Sequence, residues 1–322
     1  MTQALRERWR RHRQHYEGPM TWTRLVRDSL VLIGALVCVN YWLNLSAGLG
    51  APVDVHAYWV ASPDNLYRYS SSTTDSYNYS PAFEFVVGWW RGIPFQAFAA
   101  IWRAILLVLL VYMAGPFTIF ALLNVPVASE INAGNIQIPL ALAIVAGFRW
   151  PATWAFVILT KVTPGVGLLW FLLRREWRLL AIALGATAAI AAASFALMPS
   201  AWFDYVRFLT GSPAPSVAPY YLPLWTRLPF AIAIIAWGAL TNRRWTVVVG
   251  ATIALPVYYI TSSAMLIGVL PYARTALGRW VADYQGRPRA RAAGAPGAPD
   301  AHAAAAAPSD AGIGSAERDA FG

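Results

Sequence analysis

Residues 117–173 read FTIFALLNVPVASEINAGNIQIPLALAIVAGFRWPATWAFVILTKVTPGVGLLWFLL. Four apolar pieces stand out in this run: Phe117 to Val127, Ile136 to Phe148, Ala152 to Leu159 and Pro164 to Leu173. Polar residues, glycine or proline part each from the next. A helix needs about 20 apolar residues to cross a bilayer, and each of these pieces is shorter. They are read as short or broken helices around a shared, outward-facing cavity, because irregular backbone at membrane depth is tolerated only against protein or water.

Longer spans flank this core. Leu25 to Leu43 is a full span, Phe95 to Met113 is a second, and Gly115 with Pro116 ends it. After the broken region come Leu179 to Leu197, rich in small residues that let helices approach in lipid, then Leu224 to Leu240, Trp245 to Leu255 and Pro256 to Leu270. The expectation is an all-α, polytopic integral membrane protein with about ten transmembrane helices. Composition agrees: 58% of the 322 residues are hydrophobic and 12% charged, against about 25% charged in soluble domains.

The net charge of +10 does not indicate nucleic acid, because the arginines bracket the spans instead of clustering. Arg6, Arg8, Arg10, Arg11, Arg13, Arg24 and Arg27 lie at or before the first span, and Arg287, Arg289 and Arg291 follow the last. The positive-inside rule then places both termini in the cytoplasm of a plasma membrane protein. Arg149, and then Arg174, Arg175 and Arg178, mark inner turns, which puts Asn132 to Gln137 and Lys161 toward the outer side. Three parts are expected: a basic segment 1–24, a membrane domain 25–275, and an Ala/Pro/Gly-rich tail 283–322 with too little apolar residue to bury a core. Cys38, the single cysteine, sits mid-span as a small core residue, and no internal disulfide can form.

The polar run from Asn44 to Pro81, between the first span and the rest, holds Asp54, His56, Asp64, Arg68 and Asp75 among tyrosines and tryptophans. Asp54 is a candidate general base, a carboxylate half-shielded by aromatics; solvation or helix capping is the bland alternative. His56 either orients that carboxylate or binds acceptor. Tyr58 and Tyr79 either stack on a sugar ring or belong to an interfacial belt. The following piece, 81–94, reads as an amphipathic interfacial helix, with Glu84, Arg91 and Arg103 in interfacial ion pairs. A second outer loop is expected from Met198 to Leu222, with Asp204 and Arg207 paired at i and i+3.

Lys161 is the only lysine in the chain. It either snorkels to the headgroups or binds a lipid phosphate. Asn132, Asn135 and Gln137 either hydrogen-bond a sugar or phosphate or cap a helix. No phosphate-binding glycine loop and no metal-ligand cluster is present in the sequence, so a sugar donor is expected to arrive on a lipid, with no divalent metal demanded. A transporter or lipid flippase is the rival from another class, since its broken helices and buried Lys161 would look alike.

PVDVHAYW, YNYSPAFEFVVGWWRGIPFQAFAAIW, NAGNIQIPLALAIVAGF and LTKVTPGVGLLWFLLRREWR, in that order, resemble the family 87 glycosyltransferases over about residues 25 to 275. The Tyr77, Tyr79, Pro81 and Lys161, Pro164 elements carry the likeness best. The resemblance implies a GT-C fold and a polyprenyl-phosphate-sugar donor, with inverting transfer of a hexose, expected to be mannose, to a glycolipid or glycan acceptor at the outer face. Asp54 would be the base, with Lys161, and Arg227 or Arg68, on the leaving phosphate. His56, Tyr58, Tyr79, Asn135 and Gln137 would contact substrate. Where the family often has Gly-Gln-x-Asn, this chain has Gly134-Asn135-Ile136-Gln137.

Overall fold

The computed structural model describes residues 21–46, 53–69, 75–90, 92–211 and 222–293. Within them the secondary structure is helical and contains no strand. The basic N-terminal arginines up to Arg13, Arg91 and the tail beyond Ala293 lie outside the described residues. So does the proline-rich stretch 212–221.

Among the described residues, three helices are long and apolar enough to cross a membrane: Trp22–Asn44, Phe95–Leu123 taken through its break, and Trp177–Leu197. Helix α1 (Trp22–Asn44) starts at Thr21, whose hydroxyl caps Arg24 N, and packs along α3 (Phe95–Ala114). Between them lies the eight-residue α2 (Val53–Val60), which the sequence reading left inside a loop. Helix α3 ends at Gly115, where φ is +54°, and Arg274 donates to the carbonyls of Tyr112 and Met113 at that end. A side chain at residue 115 would collide with the Arg274 guanidinium, so only glycine serves both the turn and the close approach.

The broken helices follow as expected: α4 (Thr118–Leu123), α5 (Val125–Ala133), α6 (Gln137–Gly147), α7 (Trp154–Thr160) after a 3₁₀ turn Pro151–Thr153, then a 3₁₀ stretch Thr163–Leu168 running into α8 (Leu169–Leu173). Pro126, Gly134, Pro151 and Pro164 stand at the junctions. Pairing turns these short pieces into a core. The 3₁₀ stretch Ile260–Val269 packs against both α5 and α6, and α7 packs against α9 (Trp177–Leu197). Trp154, Trp170, Ile131, Ile136 and Met113 are fully buried there. Where a loop was expected from Met198 to Leu222, Pro199–Gly211 is a helix, α10, with the predicted Arg207 to Asp204 pair at 3.0 Å. Helices α11 (Leu224–Leu240) and α12 (Trp245–Ile253) pack together as a hairpin. Helix α13 (Leu270–Ala293) runs past Asp283, where the sequence reading began the tail. Among the described residues, those from Ala276 on belong to a unit separate from the one that ends at Thr275.

The interfacial helix expected over 81–94 is corrected. Pro81–Phe83 is a 3₁₀ turn leading into Glu84–Val87, and Pro81, Ala82, Phe83 and Glu84 are buried in the protein instead of lying at headgroup depth. The cause is Phe83, which fills a cluster with Tyr58, Tyr77 and Tyr79. Arg103 is corrected likewise. It is buried, and its donors go to the carbonyls of Asn132 at 2.7 Å and Leu45 at 3.1 Å and to Asn132 Oδ1 at 3.2 Å.

Candidate active site

Asp54 and Tyr58 are four residues apart on α2 and so share a face, while His56, two residues on, points about 200° away. That geometry separates the fates of the two acidic partners in the loop. His56 does not orient Asp54; its Nδ1 lies 2.5 Å from Oδ1 of Asp75, and its ring sits edge-on to Phe95 at 4.9 Å. Asp75 adopts φ +68° at that contact. Helix α2 is fixed by Val55, which packs directly on Gly134 in the turn between α5 and α6, and by Trp59, which donates to Ile93 O at 3.0 Å.

The tyrosine predictions converge. The Tyr58 and Tyr79 hydroxyls are 3.0 Å apart, and Tyr79 Oη donates to Asn135 Oδ1 at 3.4 Å, which also accepts from Ile136 N at 2.7 Å. Both tyrosines are buried, so their rings build the wall of the site and are not free to stack on a sugar. Burial is the first cause holding both phenols above the usual tyrosine range; it is followed by Tyr79 and then the charge of Asp54 for Tyr58, and by the charge of Asp54 for Tyr79. Tyr67 donates to Tyr79 O at 2.8 Å, and Ser80 Oγ donates to Leu159 O at 2.5 Å. This last bond ties the Tyr77 to Pro81 element to the end of α7.

Lys161 follows as the residue that ends α7, its N–H bonded to Val157 O at 2.9 Å. It is half-buried, and its charge and that of Asp54 act on each other. Asp54 too is half-buried; burial pushes its carboxyl up to about 6, against the opposing pull of the Lys161 ammonium. The third charge in the group is Glu130, on α5. It is fully buried and interacts with both Lys161 and Asp54. Its Oε1 accepts from Gln137 N at 2.5 Å, capping α6 from seven residues upstream across the left-handed Gly134. Gln137 is buried behind that contact. Asp54 on α2, Lys161 at the end of α7 and Glu130 on α5 thus lie near enough for their charges to act on one another.

The model of glycosyltransferase family 87 matches residues 77–294. The chain belongs to this family. No curated protein and no solved structure matches the chain. The family 87 match takes in Tyr79, Glu130, Asn135, Gln137 and Lys161; Asp54, His56 and Tyr58 lie ahead of it, so their place in the site rests on geometry.

The two arginines expected at the phosphate are engaged elsewhere in this family 87 chain. Arg68 is exposed and lies over the Tyr69 ring at 5.5 Å. Arg227 donates to the carbonyls of Leu222, Ile253 and Leu255 and sits over Tyr258 at 5.6 Å, closing the C-terminal end of α12. The segment it clamps leads into Tyr259, a half-exposed phenol that Asp54 also influences and that sequence reasoning did not single out. Glu130 was missed as well, although a signal was there: it is the one acidic residue between Glu84 and Glu176.

A cavity of about 350 Å³, lined by Phe117, Phe120, Pro126, Leu266, Ile267 and Leu270 among others, opens between α4–α5 and the 3₁₀ stretch Ile260–Val269. None of the Asp54, Glu130 or Lys161 side chains lines it. Among the described residues, no group of three His, Cys, Asp or Glu side chains is placed to hold a metal ion.

Proposed function

We propose that this family 87 glycosyltransferase moves a hexose, mannose in the first instance, from a polyprenyl-phosphate donor to a lipid or glycan acceptor at the outer face of the plasma membrane, with inversion. The observation that carries the proposal is that Asp54 and Lys161, from distant parts of the chain and both half-buried, lie near enough for the charge of each to act on the other.

The acceptor hydroxyl gives its proton to Asp54 as its oxygen bonds to the anomeric carbon. The bond from that carbon to the phosphate oxygen breaks, and its electron pair leaves with the polyprenyl phosphate beside Lys161. A fixed ammonium facing a departing phosphate stabilises the charge that grows in the transition state. Asn135, held by Tyr79, binds a sugar hydroxyl in this reading. No step calls for a divalent metal.

The outer-face placement follows from the architecture proposed with it, a GT-C-like bundle of about ten crossings with cytoplasmic termini and an outward-facing cavity. Asn135, at the start of α6, and Lys161, at the end of α7, are at the ends of those helices away from the Arg149 turn, which the positive-inside rule assigns to the cytoplasm. The test is transfer by purified protein from polyprenyl-phosphate mannose to a lipid acceptor, with Asp54→Asn abolishing it in a protein that still folds. Movement of lipid without transfer would sink the proposal in favour of a flippase.

A further inference from the structure

Helix α9 has 21 residues, about 31 Å at 1.5 Å per residue, just enough to cross a hydrocarbon layer of about 30 Å. A single residue, Met198, separates its end from Pro199, the first residue of α10. A helix that starts there starts at a membrane surface. The first turn of α10 stays with the last turn of α9: Trp202 Nε1 donates to Ser194 Oγ at 3.2 Å, and Phe203 meets Phe195 edge-on at 6.0 Å. Further along, Tyr205 stacks on Tyr67 at 5.5 Å and Phe208 lies 5.2 Å from the same ring. Helix α10 therefore leads away from α9 toward the tyrosine element, and it packs on the Pro81–Phe83 turn.

At about 100° per residue, the helix divides into three sectors. Ala201, Tyr205 and Phe208 face the protein, with Ala201 and Tyr205 buried. Asp204 and Arg207, paired at 3.0 Å, form a polar sector in which 48% and 79% of the side chains are exposed. Phe203, Val206 and Leu209 form the third, and each is more than half exposed. Val206, at its centre, points about 130° away from the polar pair. A surface helix of a water-soluble protein needs two sectors, one toward the core and one polar. The third, apolar and uncovered, continues the exposed surface of Phe195 and Leu197 at the end of α9, a helix that spans a bilayer by length and composition.

We infer that α10 lies in the plane of the membrane–water interface, with Phe203, Val206 and Leu209 sunk into lipid, Asp204 and Arg207 in water, and Tyr205 and Phe208 pressed sideways on Tyr67. Its partner is the lipid surface itself. Tyr67 donates to the Tyr79 carbonyl at 2.8 Å, so the anchored helix braces the tyrosine element from the membrane side. The inference rests on α9 crossing a bilayer and is independent of the proposed transfer.

The test uses Phe203→Cys, Asp204→Cys, Val206→Cys, Arg207→Cys and Leu209→Cys, each in a Cys38→Ala background, labelled with a nitroxide in nanodiscs. Relaxation by oxygen, which concentrates in lipid, is compared with relaxation by a water-soluble nickel chelate. Labels at 203, 206 and 209 should be relaxed mainly by oxygen, at a depth of about 5–10 Å below the headgroup boundary. Labels at 204 and 207 should be relaxed mainly by nickel. Nickel dominance at all five positions would put α10 in water, oxygen dominance at all five would sink it into hydrocarbon, and shielding of 203, 206 and 209 from both would mean that protein covers that face. Each of these overturns the inference. Val206→Asp sets a charge in lipid, so amides over residues 83–87 should exchange with deuterium about tenfold faster as the brace loosens, while Val206→Leu leaves them as they are. Equal exchange in the two variants would overturn the brace. The nitroxide pattern decides the placement even where Val206→Asp does not fold.

Discussion

Ser80 donates its hydroxyl to the carbonyl of Leu159 at 2.5 Å, two residues before Lys161. Both partners are buried. The bond joins the two sequence elements that carry the family likeness, Tyr77 to Pro81 and Lys161 to Pro164, and makes the position of Lys161 depend on the tyrosine element.

Ser80→Ala should therefore act at a distance. A buried carbonyl that loses its donor costs about 1–3 kcal/mol, and the thermal midpoint in detergent should fall accordingly. The donor KM should rise more than kcat falls, because the end of α7 is loosened and the base is untouched. A variant with the wild-type KM and only a lowered midpoint would show that the bond stabilises the fold without aiming Lys161.

Asp54 sets the pH dependence. It accepts a proton only when ionised, and burial has pushed its carboxyl up to about 6. The acid limb of kcat/KM for transfer should fall as pH drops through about 6, well above the range of an ordinary carboxylate near 4. Asp54→Asn should lose about 10²–10⁴ in rate, the usual worth of a general base. An acid limb near 4, or a limb near 6 that survives in Asp54→Asn, would assign the titration to another group.

The broken middle of the fold was legible because its punctuation is chemical: Gly115, Pro126, Gly134, Pro151 and Pro164 interrupt apolar runs too short to span. The ends of α11 matched the expected segment because a plain apolar run between polar flanks leaves little choice. Less legible was anything decided by packing. Helix α2 has only eight residues and no amphipathic repeat long enough to be heard in a polar loop. Glu84 looked interfacial because two tryptophans follow it, yet Phe83 draws the turn inward to the tyrosines. In the site, Asp54 and Lys161 were visible as isolated charges among apolar neighbours. Glu130 was hidden among carboxamides, and the part played by Arg227 depends on carbonyls at the end of α12 that no pattern announces.

Gly134 is the joint on which α2 rests. Its φ of +75° disfavours any side chain, by about 1–2 kcal/mol, and a Cβ there would overlap Val55 Cγ2. Gly134→Ala should displace α2, carry Asp54 out of reach of Lys161 and abolish transfer. The double variant Gly134→Ala, Val55→Ala should regain part of the activity, since losing Val55 Cγ2 removes the overlap and leaves the backbone strain with tight approaches to the residue 55 Cβ and Trp102. Equal activity in the single and double variants would mean that the backbone at 134, and not the contact with α2, governs the site.

Arg103 supports the other side of the same turn. From α3 it donates to Leu45 O and to both oxygens of Asn132, joining the end of the first span to the end of α5 immediately before Gly134. A lysine keeps the charge but not the planar fork, and a single ammonium does not reproduce bonds to two separate segments. Arg103→Lys should cost about 2–4 kcal/mol, from the loss of at least one charge-assisted bond worth about 1.5–3 kcal/mol together with the carbonyl left dry. The thermal midpoint should drop clearly, and the kcat of the surviving folded fraction should fall too, because Asn132 and Asn135 share the turn. A lowered midpoint with full specific activity would confine Arg103 to holding the first span in place and separate it from the placement of Asn135.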